Sequence, residues 1–314
     1  MPRIKMLIGL PGSGKTTYAK QLMKTEPDWI HLSSDNIAYA EFGIGTSIDH
    51  QYVFEELYKQ TSTALETGKN VIYDATNLAS KKRRSFLNRI QKFEAEAEAV
   101  VFFTPYDLLK NRNQERSARE RVPDCIIERY IRAFHFPRKD EKFNCITVIS
   151  AKNDFPPINK TINAIYTQHV SFEEICCLYE SFEETKPLLQ MKELQPTVQK
   201  AYRAFIAVRN GATDLYDKEL LSWAALLSVI GKPYVRKNRP SEQDNYYGYE
   251  HVSMYLSYSI LRKLRYSESF IFDALLLIDE HAEGRYSKRG KIRRRIGAEN
   301  HERLQVLLEA LNPV

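Results

Sequence analysis

The sequence lacks long apolar runs, is poor in cysteine, and has only a small excess of positive charge. No stretch approaches the ~20 apolar residues that cross a bilayer, and the apolar run at the N-terminus is too short for a secretory signal. We therefore expect a cytoplasmic protein without a membrane partner. Four cysteines among 314 residues, none in CxxC spacing, argue against a disulfide framework and a zinc site, so we expect reduced thiols.

The composition is that of a folded protein with more than one domain. Hydrophobic residues make up 43% of the chain and charged residues 27%, which excludes global disorder. Length alone favours two domains. The run from Asp154 to Pro157 interrupts regular structure, and we predict domains over residues 1–152 and 165–314.

The two halves have different hydrophobic patterns. Short apolar runs alternate with helical stretches in the first half, which predicts an α/β domain with a parallel sheet. The predicted strands are Ile4–Gly9, Trp29–Ser33, Val71–Asp74, Ala99–Phe103 and Ile146–Ile149. In the second half, apolar residues recur every four positions from Val252 to Leu264, and Ile271 to His281 is a second apolar helical stretch. This half is predicted to be all-α.

A glycine-rich segment carries the most specific signal. Residues 9–16, Gly-Leu-Pro-Gly-Ser-Gly-Lys-Thr, fit G-x-x-x-x-G-K-[ST] and lie between a predicted strand and a predicted helix. Glycines allow backbone N–H groups to surround phosphate oxygens, and the helix N-terminus adds its positive dipole end. The pattern predicts binding of ATP or another nucleoside triphosphate. The predicted phosphate contacts are Gly12, Ser13, Gly14, Lys15, Thr16 and Thr17.

Side chains in and after this loop suggest how the phosphates are used. Lys15 is expected to contact the β- and γ-phosphates, and the Thr16 hydroxyl is a ligand for Mg²⁺. Asp74, at the end of a predicted strand, would hold the metal through water, although an Asx turn explains it about as well. Asp35 follows another strand and is the candidate general base, with a helix N-cap as the alternative.

Two basic segments have both a functional and an ordinary interpretation. Arg112 and Arg116 lie four residues apart and would reach a transferring phosphate from a lid, or lie on a solvated helix face. Residues 282–295 hold seven basic side chains and one acidic one, so their net charge of +6 equals the net charge of the whole chain. This run favours contact with a nucleic-acid backbone or is a solvated surface.

These motifs together resemble the kinase module of bacteriophage 5′-hydroxyl polynucleotide kinases over residues 1 to about 150. The resemblance implies a P-loop kinase domain in which Lys15 and Arg116 stabilise the transferring phosphate, while Asp35 acts on a nucleic-acid 5′-OH. It includes a basic cluster at Lys81–Arg84. The family has an arginine three residues after the base, where this chain has Ala38.

The second half is similar to an HD-type metal phosphohydrolase domain, as attached to bacterial CCA-adding enzymes. Leu226–Pro233 and Tyr247–Ser253 follow family motifs. The metal ligands are replaced, however, because Ser228, Val229, Tyr249 and Arg203 stand at their positions, and His281 alone remains. Such side chains cannot hold a divalent metal, so we expect an HD-like fold without hydrolase activity.

The leading hypothesis is a Mg²⁺- and ATP-dependent kinase acting on the 5′-OH end of RNA or DNA, in nucleic acid repair. The alternatives are a small-molecule kinase acting on a nucleoside or sugar, and a non-catalytic, nucleotide-switched nucleic-acid-binding protein. The sequence is also compatible with a homo-oligomer. The predicted nucleic-acid contacts are Arg83, Arg84, Lys288, Arg293, Arg294 and Arg295.

Overall fold

A computed structural model describes residues 1–43, 48–117, 121–150, 170–211, 214–235, 246–285 and 289–312. The chain divides into two compact units. The first comprises Met1–Ile127 and Pro137–Ala151, and the second comprises Glu128–Phe136 and Lys152–Val314. The segment Glu128–Phe136, which lies within the range 1–152 predicted for the first domain, therefore groups with the second unit.

The first unit is built on a five-stranded sheet. Its strands are β1 (Arg3–Ile8), β2 (Trp29–Ser33), β3 (Asn70–Asp74), β4 (Glu96–Phe103) and β5 (Cys145–Ser150). Their order is β2-β3-β1-β4-β5, and every neighbouring pair is parallel. Parallel neighbours end at the same edge of the sheet, so the loops that follow β1, β2 and β3 lie side by side.

Helices connect these strands, as the predicted alternation requires. They are α1 (Lys15–Thr25), α2 (Ser34–Phe42), α3 (His50–Glu66), α4 (Ser80–Ile90), α5 (Tyr106–Glu115) and α6 (Asp124–Arg132), the last of which runs from the first unit into the second. A buried apolar core lies between the sheet and α1, and it includes residues of β1 and of both its neighbouring strands, β3 and β4. Leu7, Ile72, Val100 and Phe102 meet Ala19 of α1 there. The predicted α/β fold with a parallel sheet is confirmed.

The described part of the second unit is largely helical. Its remaining helices are α7 (Phe172–Glu180), α8 (Lys186–Gln190), α9 (Gln195–Gly211), α10 (Leu215–Leu227), α11 (Lys232–Val235), α12 (Tyr249–Lys263), α13 (Glu268–Glu280), α14 (Arg289–Ile296) and α15 (Ala298–Leu311). The four-residue repeat predicted from Val252 onward lies on α12, where Val252, Leu256 and Ile260 are buried. Phe134 packs edge-to-face on Tyr255, which ties the segment Glu128–Phe136 to this unit.

Candidate active site

The glycine-rich loop follows β1 and ends where α1 begins. Gly12 and Gly14 have φ values of 80° and 98°, in the left-handed region that other residues rarely adopt. Gly9 has no room for a side chain, because a Cβ there would lie 2.7 Å from the Ser13 hydroxyl oxygen. The Thr16 and Thr17 side chains are exposed in the first turn of α1. The loop therefore has the backbone geometry of a phosphate-binding loop.

The Lys15 ammonium is held by the loop itself. It donates to the carbonyl oxygens of Gly9 and Leu10, both at 2.9 Å. Burial lowers the pKa of Lys15 to about 8, while the charges of Asp74 and Asp35 raise it and that of Arg116 lowers it. The charges of these three residues therefore bear on the ionisation of this ammonium.

Thr16 and Asp74 meet at the end of β3. The Thr16 hydroxyl donates to Asp74 Oδ2 at 3.0 Å, and the Asp74 carboxylate is buried. Mg²⁺ prefers oxygen ligands and is commonly held by one or two carboxylates plus substrate phosphates. The donor chemistry of this pair fits Mg²⁺. In the described residues, no three His, Cys, Asp or Glu side chains are grouped to hold a metal by themselves.

His31 joins this pair, and the sequence reasoning missed it. Its Nε2 lies 2.9 Å from Asp74 Oδ2, the same oxygen that accepts from Thr16. Asp74 pairs with Ser33 across β2 and β3, so His31, two residues before Ser33, is a diagonal neighbour of Asp74. Both side chains are buried. Two hydrogen bonds to one oxygen hold the Asp74 carboxylate in a fixed orientation.

Asp35 lies in the first turn of α2, immediately after β2. The N-cap of this helix is Ser33, whose hydroxyl accepts from the N–H of Asn36 at 3.5 Å. The capping position that offered an alternative role for Asp35 is therefore filled by another residue. The Asp35 side chain is exposed, and its charge acts on Lys15. This arrangement leaves a carboxylate open to a ligand beside the phosphate-binding loop.

Helix α5 places two arginines near the loop. Arg112 Nη1 donates to the Gly12 carbonyl oxygen at 3.4 Å. Arg116 is the C-cap of α5 and acts on Lys15 through its charge. The buried Asn113 side chain donates to the Val122 carbonyl at 2.6 Å and accepts from the Val122 N–H at 2.9 Å. Asn113, which the sequence analysis did not assign a role, therefore holds the Val122 backbone against α5.

Arg83 is corrected from a nucleic-acid contact to a structural residue. Its guanidinium is buried and donates to both carboxylate oxygens of Glu141 at 2.7 Å. It also donates to the backbone carbonyls of Asn77 and Leu78. Every nitrogen of this guanidinium is used inside the first unit. Its neighbour Arg84 is partly exposed and pairs with Asp140 at 3.2 Å.

We predict that Arg83→Met destabilises the protein by about 3–5 kcal/mol, because it leaves the Glu141 carboxylate buried without a partner. Arg84→Met is the matched control and should cost at most about 1 kcal/mol, as partly exposed ion pairs do. Urea unfolding of the two variants measures the difference. Equal and small losses of stability for the two variants would contradict the structural role of Arg83.

The basic run in the second unit is divided by burial. Arg295 is corrected in the same way as Arg83, because it is buried and pairs with Glu280 and Glu283. Burial lowers its pKa, but these two carboxylates outweigh that effect and raise it. Arg293 and Arg294 are exposed on α14. Lys288 lies outside the described residues.

His281, Tyr249 and Ser228, which the sequence analysis compared with HD-type positions, form internal contacts of the second unit. The ring Nδ1 of His281 lies 2.6 Å from the Ile278 carbonyl oxygen and is therefore the protonated nitrogen, so Nε2 accepts from the Tyr249 hydroxyl at 2.8 Å. The Ser228 hydroxyl donates to the Ala225 carbonyl within its own helix turn. Arg203 is exposed on α9. Both nitrogens of His281 are thus engaged.

Comparison with known proteins bears on the first unit. Residues 4–137 match the family model described as an AAA domain. The first unit has a P-loop kinase-like fold. A curated relative, the transcription factor bHLH140 of Arabidopsis thaliana, is 24% identical over 149 residues, which are 46% of this chain and 15% of that protein. The match thus spans much less than two thirds of that relative.

Solved structures similar to this chain include an RNA repair complex and two kinases. The Pnkp1/Rnl/Hen1 RNA repair complex is 26% identical, with a TM-score of 0.37, over 42% of this chain and 43% of that one. A fungal RNA kinase is 20% identical, with a TM-score of 0.38, over 63% and 94%. A putative kinase from Chloroflexus aurantiacus is 19% identical, with a TM-score of 0.40, over 48% of this chain and 85% of that one.

None of the described helices is long and apolar enough to span a membrane.

Proposed function

We propose that this protein transfers the γ-phosphoryl group of ATP, or of another nucleoside triphosphate, to the 5′-OH end of a polynucleotide. The observation that carries the proposal is the exposed Asp35 side chain in the first turn of α2, directly after the strand that pairs with β3. A phosphate-binding loop alone is compatible with a nucleotide switch. An exposed carboxylate beside that loop, with no capping role, supports transfer to a hydroxyl group.

Each of these residues has a chemical role in the proposal. Lys15 and the loop N–H groups hold the triphosphate, and Arg116 neutralises charge that spreads over the γ-phosphoryl oxygens during transfer. Asp35 accepts the proton of the attacking 5′-hydroxyl. Thr16 and Asp74 would hold Mg²⁺, the latter through water, and the metal would neutralise charge on the β- and γ-phosphates. His31 fixes the Asp74 carboxylate for this task.

The choice of a polynucleotide as acceptor rests on exposure and charge. The Asp35 side chain is exposed at the start of α2, so a hydroxyl at the end of a long chain can reach it. Exposed cations remain available for phosphate contacts at Lys81 and Lys82 in the first unit and at Arg293 and Arg294 in the second. We propose nucleic acid end repair as the corresponding role.

Incubation with γ-labelled ATP and Mg²⁺ tests the acceptor. We expect label to move to a 5′-OH oligonucleotide, and to neither a 5′-phosphorylated oligonucleotide nor free nucleosides and sugars. RNA and DNA versions of the same oligonucleotide should be compared, because the 2′-OH is the feature that would distinguish them. Label on a nucleoside or sugar but on no oligonucleotide would instead identify a small-molecule kinase.

We further propose that the second unit is an HD-like scaffold without phosphohydrolase activity. The expected result is no phosphate release from 2′- or 3′-phosphate ends or from cyclic phosphates, in the presence of Mn²⁺, Ni²⁺ or Co²⁺. The physical reason is that the Tyr249 hydroxyl donates a hydrogen bond to the His281 nitrogen that a metal would need. The Ser228 hydroxyl donates to a carbonyl of its own helix turn. Release of phosphate by the wild-type protein with any of these metals would contradict this assignment.

A further inference from the structure

A buried asparagine interrupts the apolar stripe of α5. Tyr106 and Leu109 are buried on this helix, and the next buried residue on the same face is Asn113, which is 3% exposed. Asparagine has a lower helix propensity than leucine, because its side chain competes for backbone hydrogen bonds. Neither helix formation nor apolar packing therefore explains an amide at this position.

The Asn113 amide bonds one backbone position with both of its polar atoms. Its Nδ2 donates to the Val122 carbonyl oxygen at 2.6 Å, and its Oδ1 accepts from the Val122 N–H at 2.9 Å. Two hydrogen-bonded residues of antiparallel strands exchange the same pair of bonds through their backbones. The pair fixes the orientation of the Val122 backbone as well as its distance from α5, which a single hydrogen bond or an apolar contact does not do.

Arg116 lies in sequence between Asn113 and the backbone that Asn113 holds. As the C-cap of α5, Arg116 donates its N–H to the Asn113 carbonyl oxygen at 3.3 Å, and its ψ of 152° takes the chain out of the helix. Further along, the Arg121 guanidinium donates to the Gln114 carbonyl oxygen. Two contacts, from Asn113 to Val122 and from Arg121 to Gln114, therefore bring the chain back to the last turn of α5 after it has passed Arg116.

We propose that Asn113 is a positioning residue for phosphoryl transfer and acts through Arg116. This role rests on the proposed function, in which Arg116 neutralises charge on the γ-phosphoryl oxygens. The arginine side chain has many rotamers, so the backbone from which it leaves α5 decides where its guanidinium can reach. Without the Asn113 amide, Val122 is released from α5 and the backbone after Arg116 takes other directions. A displacement of about 1 Å in a group that stabilises the transition state costs roughly 10²-fold in rate.

Steady-state transfer and direct ATP binding separate this role from a purely structural one. Asn113→Ala should lower kcat roughly 10- to 100-fold and leave the Kd for ATP unchanged. Asn113→Asp keeps the bond from the Val122 N–H but sets a second acceptor against the Val122 carbonyl, so it should also lower kcat. Asn300→Ala, which should leave kcat unchanged, is the matched control. Asn300 is a buried asparagine of the second unit that donates to Asp273 and accepts from Arg303.

A double-mutant cycle decides whether Asn113 acts through Arg116. Asn113→Ala should cost almost nothing in kcat once Arg116→Ala is present, because the group that Asn113 positions is then gone. Independent roles would instead give losses in kcat that multiply. Multiplied losses, a rise in the Kd for ATP that matches the loss in kcat, or full activity of both Asn113 variants would overturn the inference.

The cycle is measured with whichever acceptor the wild-type protein labels, so that it is separate from the choice of acceptor. Transfer only to a nucleoside or sugar would overturn the polynucleotide assignment, while the cycle on that acceptor would still decide the role of Asn113. Absence of transfer from the wild-type protein to any acceptor overturns both.

Discussion

Asp35→Asn is expected to lower phosphoryl transfer to a 5′-OH oligonucleotide by about 10²- to 10⁴-fold, the usual contribution of a general base. The amide has nearly the same shape as the carboxylate but cannot accept the hydroxyl proton. Because Ser33 caps α2, the helix keeps its start in the variant. Affinity for ATP should change little, since the exposed Asp35 side chain acts on Lys15 only through its charge.

Steady-state transfer and direct ATP binding should be measured on the same preparations. Asp28→Asn is the matched control, because Asp28 is exposed just before β2, at the opposite end of the strand from Asp35. It should behave like the wild-type protein. A nucleotide-switched protein without transfer activity would be indifferent to both substitutions. Retention of transfer within a few-fold in Asp35→Asn would remove this residue from the proposed chemistry.

The phosphate-binding loop could be predicted from sequence because its information is local. Eight consecutive residues specify the loop, and the strand and helix on either side are recognised from their own periodicity. The role of His31 could not be predicted in this way. Its contact with Asp74 depends on β2 and β3 being neighbours in the sheet. The residues of β2 and β3 do not by themselves indicate which strands pair. Non-local pairing is decided by the whole fold.

The burial of Arg83 could have been predicted from the spacing of apolar residues on α4. Four consecutive basic residues, Lys81–Arg84, drew attention to charge instead. Phe86, Leu87 and Ile90 follow Arg83 by three, four and seven residues, so Arg83 lies on the buried stripe of α4. Spacing of this kind separates a buried arginine from its exposed neighbours. The partner could not be foreseen, because Glu141 is 58 residues away in sequence.

Arg295 illustrates the same point on α14. It lies beside the buried Ile292 and Ile296, while Arg293 and Arg294 point to the exposed side. A cluster of basic residues on a helix is thus divided by the helical period into structural and accessible members. Predictions of nucleic-acid contacts from charge alone counted both kinds.

Lys15→Ala is expected to abolish measurable transfer, with a loss of at least about 10²- to 10³-fold in turnover and much weaker nucleotide binding. The ammonium is the charged group placed at the loop itself, where it now donates to the Gly9 and Leu10 carbonyls. Arg116→Ala is the comparison, because an arginine that acts on the transferring phosphoryl group should affect turnover more than ATP affinity. Equal losses of both in Arg116→Ala would make it a ground-state contact.

The lowered pKa of Lys15 adds a pH dependence to this prediction. In the free protein the pKa is about 8, mainly because burial disfavours the ammonium. Bound phosphates favour the ammonium, so the pKa in the complex is higher and nucleotide binding takes up a proton between the two values. Affinity should therefore be constant well below pH 8 and fall by up to about tenfold per pH unit above it. Lys15→Arg stays protonated throughout and corrects for ionisation of the nucleotide itself. Titration calorimetry from pH 6.5 to 9.5 on both proteins should show the fall only in the wild type, and parallel curves would place the proton on another group.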